Sequence, residues 1–376
     1  MMQENNSKMS CKVPLCKADI GEEELNAVRE VLASGWLTHG PKNKEFEEAF
    51  ASYIGVKHAV SLNSCTAALF LALKAHNITG EVILPSFTFS ASANAVVTAG
   101  AVPRFADIDE ETYMLDPKSV EALITPKTEA IMVVHFGGQA GPIKELKELA
   151  DKHKLLFIED SAEAIGAEYK GEKTGSFGVG CFSFFPTKNM TTGEGGMLTT
   201  NDKKIAETVA LLSAHGIPKS VNPPHVGYRS AVMPGYNFRL SNILAALGTV
   251  QLKKLDAMNE KRRVAAAKYN NLLSAIPGVV TPVEKLGRKH VYQMYTVRVA
   301  KEKRNKFILK LKDAGIEVSV HFNPPVHLQD YYKEKYPTNL PVTEKIAEEI
   351  VTLPMYPDIR EEDIAYVCDI IRENIA

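Results

Sequence analysis

Lys188 lies in the run CFSFFPTKNMTTGEGGM, after an apolar segment that reads as a strand and before a glycine-rich loop. Upstream, LLFIEDSAEAIGAEY carries Asp160 at the end of a second apolar segment. A lysine can hold an aldehyde as a Schiff base, and an aspartate can neutralise a protonated pyridine nitrogen so that the ring accepts electrons. Taken singly, Asp160 reads as a helix cap and Lys188 as a surface loop residue. Together, at the carboxyl ends of strands where open α/β sheets bind their ligands, they point to pyridoxal 5'-phosphate.

Two neighbouring segments strengthen that reading. In NSCTAALFLAL, small hydroxyl and thiol residues precede an apolar helix, whose first backbone N–H groups can face a phosphate. Ser64, Cys65 and Thr66 are placed to line such a cradle, although a Ser or Thr before a helix also serves simply as a cap. Ser183, on the way to Lys188, offers a further donor. In LPSFTFSASANAV, Phe89 follows a strand and can lay its face on a pyridine ring, while Phe87 and Phe89 equally suit a core.

The elements that must carry these groups show in the hydrophobic pattern. Leu25, Val28, Val31 and Leu32 recur at helical spacing from Glu22 to Ser34, and Gly35 can close that helix. Beyond it, the apolar runs EVIL, AIMVV, LLFI, CFSFF and GMLTT alternate with helical stretches such as KELKELADKH and KKIAETVALLSAHG. The expected fold class is α/β, with a mainly parallel sheet flanked by helices. A helical pattern runs from Ser241 to about Ile276. After it, VYQMYTVRV reads as a strand, KRNKFILKLKDAG as a helix and EVSVHF as another strand. The expected organisation is a flexible tail over 1–13, a large domain over 14–250 and a smaller α+β domain over 251–376, with the long helix bridging the last two.

Composition excludes several function classes. With 376 residues, 45% of them hydrophobic, and a net charge of −1, the chain supports a sizeable core but no field to attract nucleic acid or an anionic membrane. The five cysteines lack the spacing of a zinc site or the density of a disulfide scaffold, and the polar start MMQENNSKMSCK lacks the apolar centre of a signal peptide. A cytoplasmic enzyme without a catalytic metal or a membrane span is expected.

The chain resembles the DegT/DnrJ/EryC1/StrS family of sugar aminotransferases, a branch of the fold-type I, aspartate aminotransferase-like enzymes. The resemblance rests on GEEELNAVREVLASGWLTHGPKNKEFEEAF, NSCTAAL, PSFTFSASANAV, IEDSAEAIGA, SFFPTKNMTTGEGGM, PGYNFRLSNILAALGTVQL, HFNPPVHLQ and LPMYP, in order from Pro14 onward. It implies a large domain with a seven-stranded type of sheet and a smaller C-terminal domain. It also implies that Lys188 forms the link to the cofactor, Asp160 pairs with the pyridinium, Phe89 stacks on the ring, and Cys65, Thr66 and Ser183 hold the phosphate. Asn237 would reach the phosphate of a neighbouring subunit, making a homodimer with shared sites.

Two positions depart from the family pattern. Cys65 stands where many members have glycine, which is tolerable if its backbone angles are ordinary. Glu163 stands where glutamine is commoner, and a carboxylate cannot donate to the cofactor's 3-oxygen unless protonated; it is expected either to hold a proton there or to point away. The implied reaction moves an amino group from L-glutamate to a nucleotide-linked keto-deoxysugar. The TTGEGGM continuation resembles members that act at carbon 4, such as perosamine synthases. Cyclitol amination uses the same site residues, and an inactive scaffold is a more distant alternative. Trp36, Thr38, His215 and His321 are candidate substrate contacts, whereas His327 reads as packing and Arg239 as an interface residue.

Overall fold

A computed structural model describes residues 11–218 and 225–375. Seven strands form the central sheet: β1 (His58–Leu62), β2 (Glu81–Pro85), β3 (Val102–Ala106), β4 (Thr128–Val134), β5 (Leu156–Asp160), β8 (Val179–Ser183) and β9 (Gly196–Thr200). Their spatial order is β1-β9-β8-β5-β4-β2-β3. The pairs β2–β3, β2–β4, β4–β5 and β5–β8 are parallel, while β9 runs antiparallel to both β8 and β1. The expected mainly parallel sheet is therefore present, with one reversed strand. A short ladder of β6 (Glu168–Tyr169), β7 (Glu172–Lys173) and β10 (Arg288–Lys289) lies outside it.

Helices cover this sheet because its strands are mostly apolar and both faces need burial. Among them α3 (Cys65–Ala75) is almost entirely apolar, packs on α4 (Ser90–Ala99) and sits in the largest hydrophobic cluster. α1 (Glu22–Ser34) and α2 (Pro41–Ile54) pack on α8 (Asn242–Leu273), the long helix read from the sequence. Ser241 caps α8 by accepting from the Leu244 N–H, and Gly35 closes α1 in the left-handed conformation. The helical period of α1 was legible, but not its buried face. Glu24 and Val31 are buried, Glu24 against Gln251 and Lys254 of α8, whereas Leu25 and Leu32 are exposed.

Beyond α8 the pattern VYQMYTVRV yields only the short β11 (Tyr295–Arg298). Its partner is not EVSVHF but β12 (Ile350–Leu353), in antiparallel register. EVSVHF makes a single bridge, Ser319 with Thr352, before the chain turns at the Pro324–Pro325 pair. The β-branched IVTL run takes the central place at the expense of the more polar EVSVHF, and this leaves His321 at a sheet edge. Val13, assigned to the tail by the sequence, is buried and bridges Ile316; residues 1–10 of that tail lie outside the described residues. No helix among the described residues is long and apolar enough to cross a membrane.

Candidate active site

The carboxyl ends of β4, β5 and β8 open into a cavity of about 510 Å³. Asp160 ends β5 and Ser183 ends β8, so the sheet itself delivers both to the cavity wall, and Lys188 follows on the turn after β8. Ser64, Cys65, Thr66, Phe89 and Glu163 line the same cavity. These residues, scattered over 125 positions of sequence from Ser64 to Lys188, are thus brought together.

Asp160 is buried and accepts from Ser92 Oγ at 2.7 Å and from the Ala162 N–H at 3.2 Å. Burial pushes its carboxyl above the ordinary value, against the lowering effect of the Ser92 and Ala162 hydrogen bonds. The nearby Lys188 charge also lowers it and Glu163 raises it, but Asp160 makes no ion pair among the described residues, and a protonated ring nitrogen would supply one. Glu163 turns into the site: its Oε2 accepts from the Gly137 N–H at 3.0 Å, and its Oε1 lies 3.4 Å from Lys188 Nζ. Phe89, at the N-cap of α4, is 65% exposed, a surface that a flat ring would cover.

The Ser64–Thr66 turn has ordinary geometry. Ser64 Oγ accepts from the Ala67 N–H at 3.1 Å, so this side chain caps α3, and Ala68 N–H goes to Ser64 O. The amides of Cys65 and Thr66 precede the first helical bonds and remain for a ligand. Cys65 does not have a positive φ, which satisfies the condition for a cysteine here. The first residue of β9 passes close beneath this turn: a Cβ on Gly196 would lie 2.3 Å from Ser64 C and 2.5 Å from Cys65 N. Only glycine lets the strand and the turn share that space.

Of the remaining candidates only His321 lines the cavity. Trp36 and Thr38 are exposed and do not line the cavity; the Trp36 carbonyl accepts from Asn242 Nδ2 at 2.9 Å, which pins the loop to the start of α8. In GYNFR, Tyr236 and Phe238 pack on Phe70 of α3. Strand-like alternation therefore turns Asn237 outward, where it is exposed. His215 Nε2 lies 3.5 Å from Arg239 Nη2 on that side. His321 does line the cavity, with Nδ1 2.7 Å from Thr352 Oγ1. His327 is buried between Ser86 Oγ, 2.6 Å from Nδ1, and Glu344 Oε1, 3.2 Å from Nε2, as a packing residue.

Ser92 and the Gly137 amide were not singled out from sequence. The small residues of SASANAV gave a signal for Ser92, since a serine one turn into a helix at a strand end can face a carboxylate. Gly137 gave none, because its contact depends on a turn between distant segments.

The chain matches the DegT/DnrJ/EryC1/StrS aminotransferase family over residues 18–372. It belongs to that family. It is 40% identical over an alignment of 390 residues to the spore coat polysaccharide biosynthesis protein SpsC of Bacillus subtilis, covering 100% of this chain and 99% of that protein. S. venezuelae DesV, solved in complex with a ketimine intermediate, is 36% identical with a TM-score of 0.90, covering 96% of this chain and 98% of that one. The putative sugar aminotransferase Spr1654 of Streptococcus pneumoniae, solved in its PLP form, is 30% identical with a TM-score of 0.91 over 96% and 98% of the two chains. This DegT-family member is an aminotransferase of fold-type I that uses pyridoxal phosphate. The cavity fits that group: an open pair of helix N-terminal amides, a buried carboxylate without an ion pair, an exposed aromatic face and a lysine share its walls.

Proposed function

We propose that this chain moves the amino group of L-glutamate to the keto carbon of a nucleotide-linked deoxysugar, at carbon 4, as a cytoplasmic homodimer with shared active sites. The observation that carries the reading is the cavity around Lys188. At about 510 Å³ it lies within the range of small-molecule sites, and Leu15, Phe185, Ser319 and Phe322 give it walls suited to an acceptor as well as a cofactor. The names of SpsC and Spr1654 support a sugar acceptor, and the TTGEGGM loop, whose Glu194 lines the cavity, supports carbon 4.

Bound here, pyridoxal phosphate supplies a carbonyl that condenses with amines and a protonated ring that withdraws electrons from the carbon losing its proton. Lys188 would hold the cofactor through its carbonyl and, as a free amine, would serve as the base and acid that moves a proton. Asp160 keeps its negative charge against the ring nitrogen, with Ser92 holding it in place. Phe89 would cover the ring and the Cys65 and Thr66 amides with Ser183 Oγ would hold the phosphate, while Glu163 stands beside Lys188, oriented by Gly137.

Two features support the shared homodimer. Lys188 is the only lysine or arginine among the described residues lining the cavity, yet the donor's carboxylates and a nucleotide's phosphates call for positive charge and hydrogen-bond donors; Arg239 of a second copy offers a cation and Asn237 a neutral N–H donor. Leu25, Leu32, Trp36 and Leu37 are all more than two-fifths exposed along α1 and the loop after it, a contiguous apolar stretch suited to burial. All five cysteines are free thiols, which suits a reducing compartment.

The deciding experiment is the absorbance of the protein with pyridoxal phosphate, before and after glutamate, beside Lys188→Ala. A long-wavelength band in the wild type alone, converted by glutamate to a shorter-wavelength form, is expected. A wild type without a lysine-dependent band removes the reading. Carbon 4 and carbon 3 keto nucleotide sugars and a cyclitol ketone, offered to the aminated form, then separate the acceptors, and turnover of the cyclitol ketone alone would reject the nucleotide sugar.

A further inference from the structure

The large cavity has a smaller neighbour. A chamber of about 70 Å³ shares Glu163, Lys188 and His321 with it and is further lined by Cys16, Gln293, Thr352 and apolar side chains. Gln293 is 6% exposed. Its Nε2 donates to the Thr187 carbonyl at 2.9 Å, which fixes the amide plane, and its Oε1 is buried without a hydrogen-bond partner. A buried oxygen left bare costs about 1–3 kcal/mol, and roughly 10–15 Å³ accommodates one water. The chamber is thus polar and roomy enough for more than one water.

The reaction has a proton to place there. An amino donor arrives as an ammonium, and Lys188 must be a neutral amine before it can take a proton from carbon. One proton must leave the reacting nitrogens in between, and it needs a nearby base. His321 pairs through Nδ1 with Thr352, and Nε2 makes no hydrogen bond among the described residues.

We propose that this chamber is a proton relay: water held by Gln293 Oε1 links Lys188 Nζ to His321 Nε2, and His321 stores the proton that the donor gives up. One proton passes from the donor's ammonium through water to the imidazole, which becomes imidazolium. It returns when the product amine leaves as an ammonium, and no bond between heavier atoms forms or breaks in the relay. Burial holds His321 below its ordinary value, and the Lys188 charge acts in the same direction while the Glu163 carboxylate opposes it. The imidazole is therefore a neutral acceptor at rest, and it becomes a better one as Lys188 loses its charge. Of the other groups facing it, Thr352 is uncharged and burial keeps the Cys16 thiol protonated. In this role Gln293 is a positioning residue.

The inference rests on Lys188 as the proton carrier, and its test separates the two. A crystal structure of the wild type should show water within hydrogen-bond distance of Gln293 Oε1; a dry chamber overturns the relay. The glutamate half-reaction of the holoenzyme, followed by rapid mixing across pH, should slow about 10- to 100-fold in Gln293→Met. In His321→Gln the acid limb of the profile should also shift. Both variants should retain the lysine-dependent absorbance band. Wild-type rates at every pH in both variants overturn the relay. Absence of the band in the wild type would reject Lys188 instead. Should Gln293→Met fail to fold, the wild-type water and the His321→Gln profile decide.

Discussion

The carboxyl edge of the sheet and the surface around Trp36 and Asn237 were both read from sequence as functional, but they are built differently. At the sheet edge the two carboxylates have partners: Asp160 has Ser92 and the Ala162 amide, and Glu163 has Gly137 and Lys188. On the other surface Asn237 is exposed, and Arg239 has a histidine at 3.5 Å. A single chain thus satisfies these carboxylates and leaves Asn237 facing outward, on a segment that pairs with Leu62 and Asn63 just before the Ser64–Thr66 turn. The proposed shared site would have this difference, because groups meant for another copy's site cannot be satisfied within their own chain.

The largest effect should come from the satisfied carboxylates. An opposite charge about 4 Å from the ring nitrogen is worth about 4 kcal/mol at an effective dielectric near 20, so Asp160→Ala should slow the glutamate half-reaction on the order of a thousandfold. Rapid mixing of the reconstituted variant measures this, and a loss below about tenfold would show that the ring nitrogen faces some other group.

Gly196→Ala should come next. A methyl group there meets backbone atoms of Ser64 and Cys65 at 2.3–2.5 Å, and neither β9 nor the N-terminus of α3 can yield without repacking. Overpacking of this kind costs about 1–3 kcal/mol, which should appear as a lower melting temperature and a roughly tenfold or greater loss of cofactor affinity. Unchanged affinity would mean that the turn does not hold the phosphate.

Asn237→Ala tests the outward-facing group. Loss of one hydrogen bond to a charged group, about 1.5–3 kcal/mol, should weaken cofactor binding about ten- to a hundredfold without changing the melting temperature of the cofactor-free protein, since the side chain is exposed. In a mixed dimer of Lys188→Ala with Asn237→Ala, one of the two sites regains both residues. A recovery of activity on mixing supports sharing, and none at all would place Asn237 in its own chain's site.

The same contrast explains what the sequence made legible. Lys188, Asp160 and the cradle were readable because strand ends and helix starts are local signals, and the sheet converts them into neighbours without further information. The turn that brings Gly137 to Glu163 and the edge that presents His321 were not readable, since both depend on pairing between distant segments. EVSVHF has a strand's composition, yet its place beside β11 went to Ile350–Leu353, which is buried throughout. The exposed Leu25 and Leu32 show the same limit: periodicity identifies a helix, but which face is buried depends on Gln251 and Lys254, more than 200 residues away, holding Glu24 inside.

The smallest expected effect, and the most specific, concerns Ser92. Burial raises the Asp160 carboxyl and the Ser92 hydrogen bond lowers it, so Ser92→Ala should raise it further. A carboxyl whose folded value lies above the unfolded one stabilises the fold fully below the unfolded value of 3.8, and that contribution is lost as pH rises through the folded value. Cofactor-free protein should therefore lose stability across this acid window, and in Ser92→Ala the window should extend to higher pH. A cation at the ring nitrogen removes the penalty, so the gain in melting temperature on adding pyridoxal phosphate should grow with pH over the same interval. At neutral pH the variant should bind the cofactor at most about tenfold more weakly. Superimposable melting curves for the two cofactor-free proteins would mean that Ser92 does not tune Asp160, and the partly finished edge would then owe its acid behaviour to burial alone.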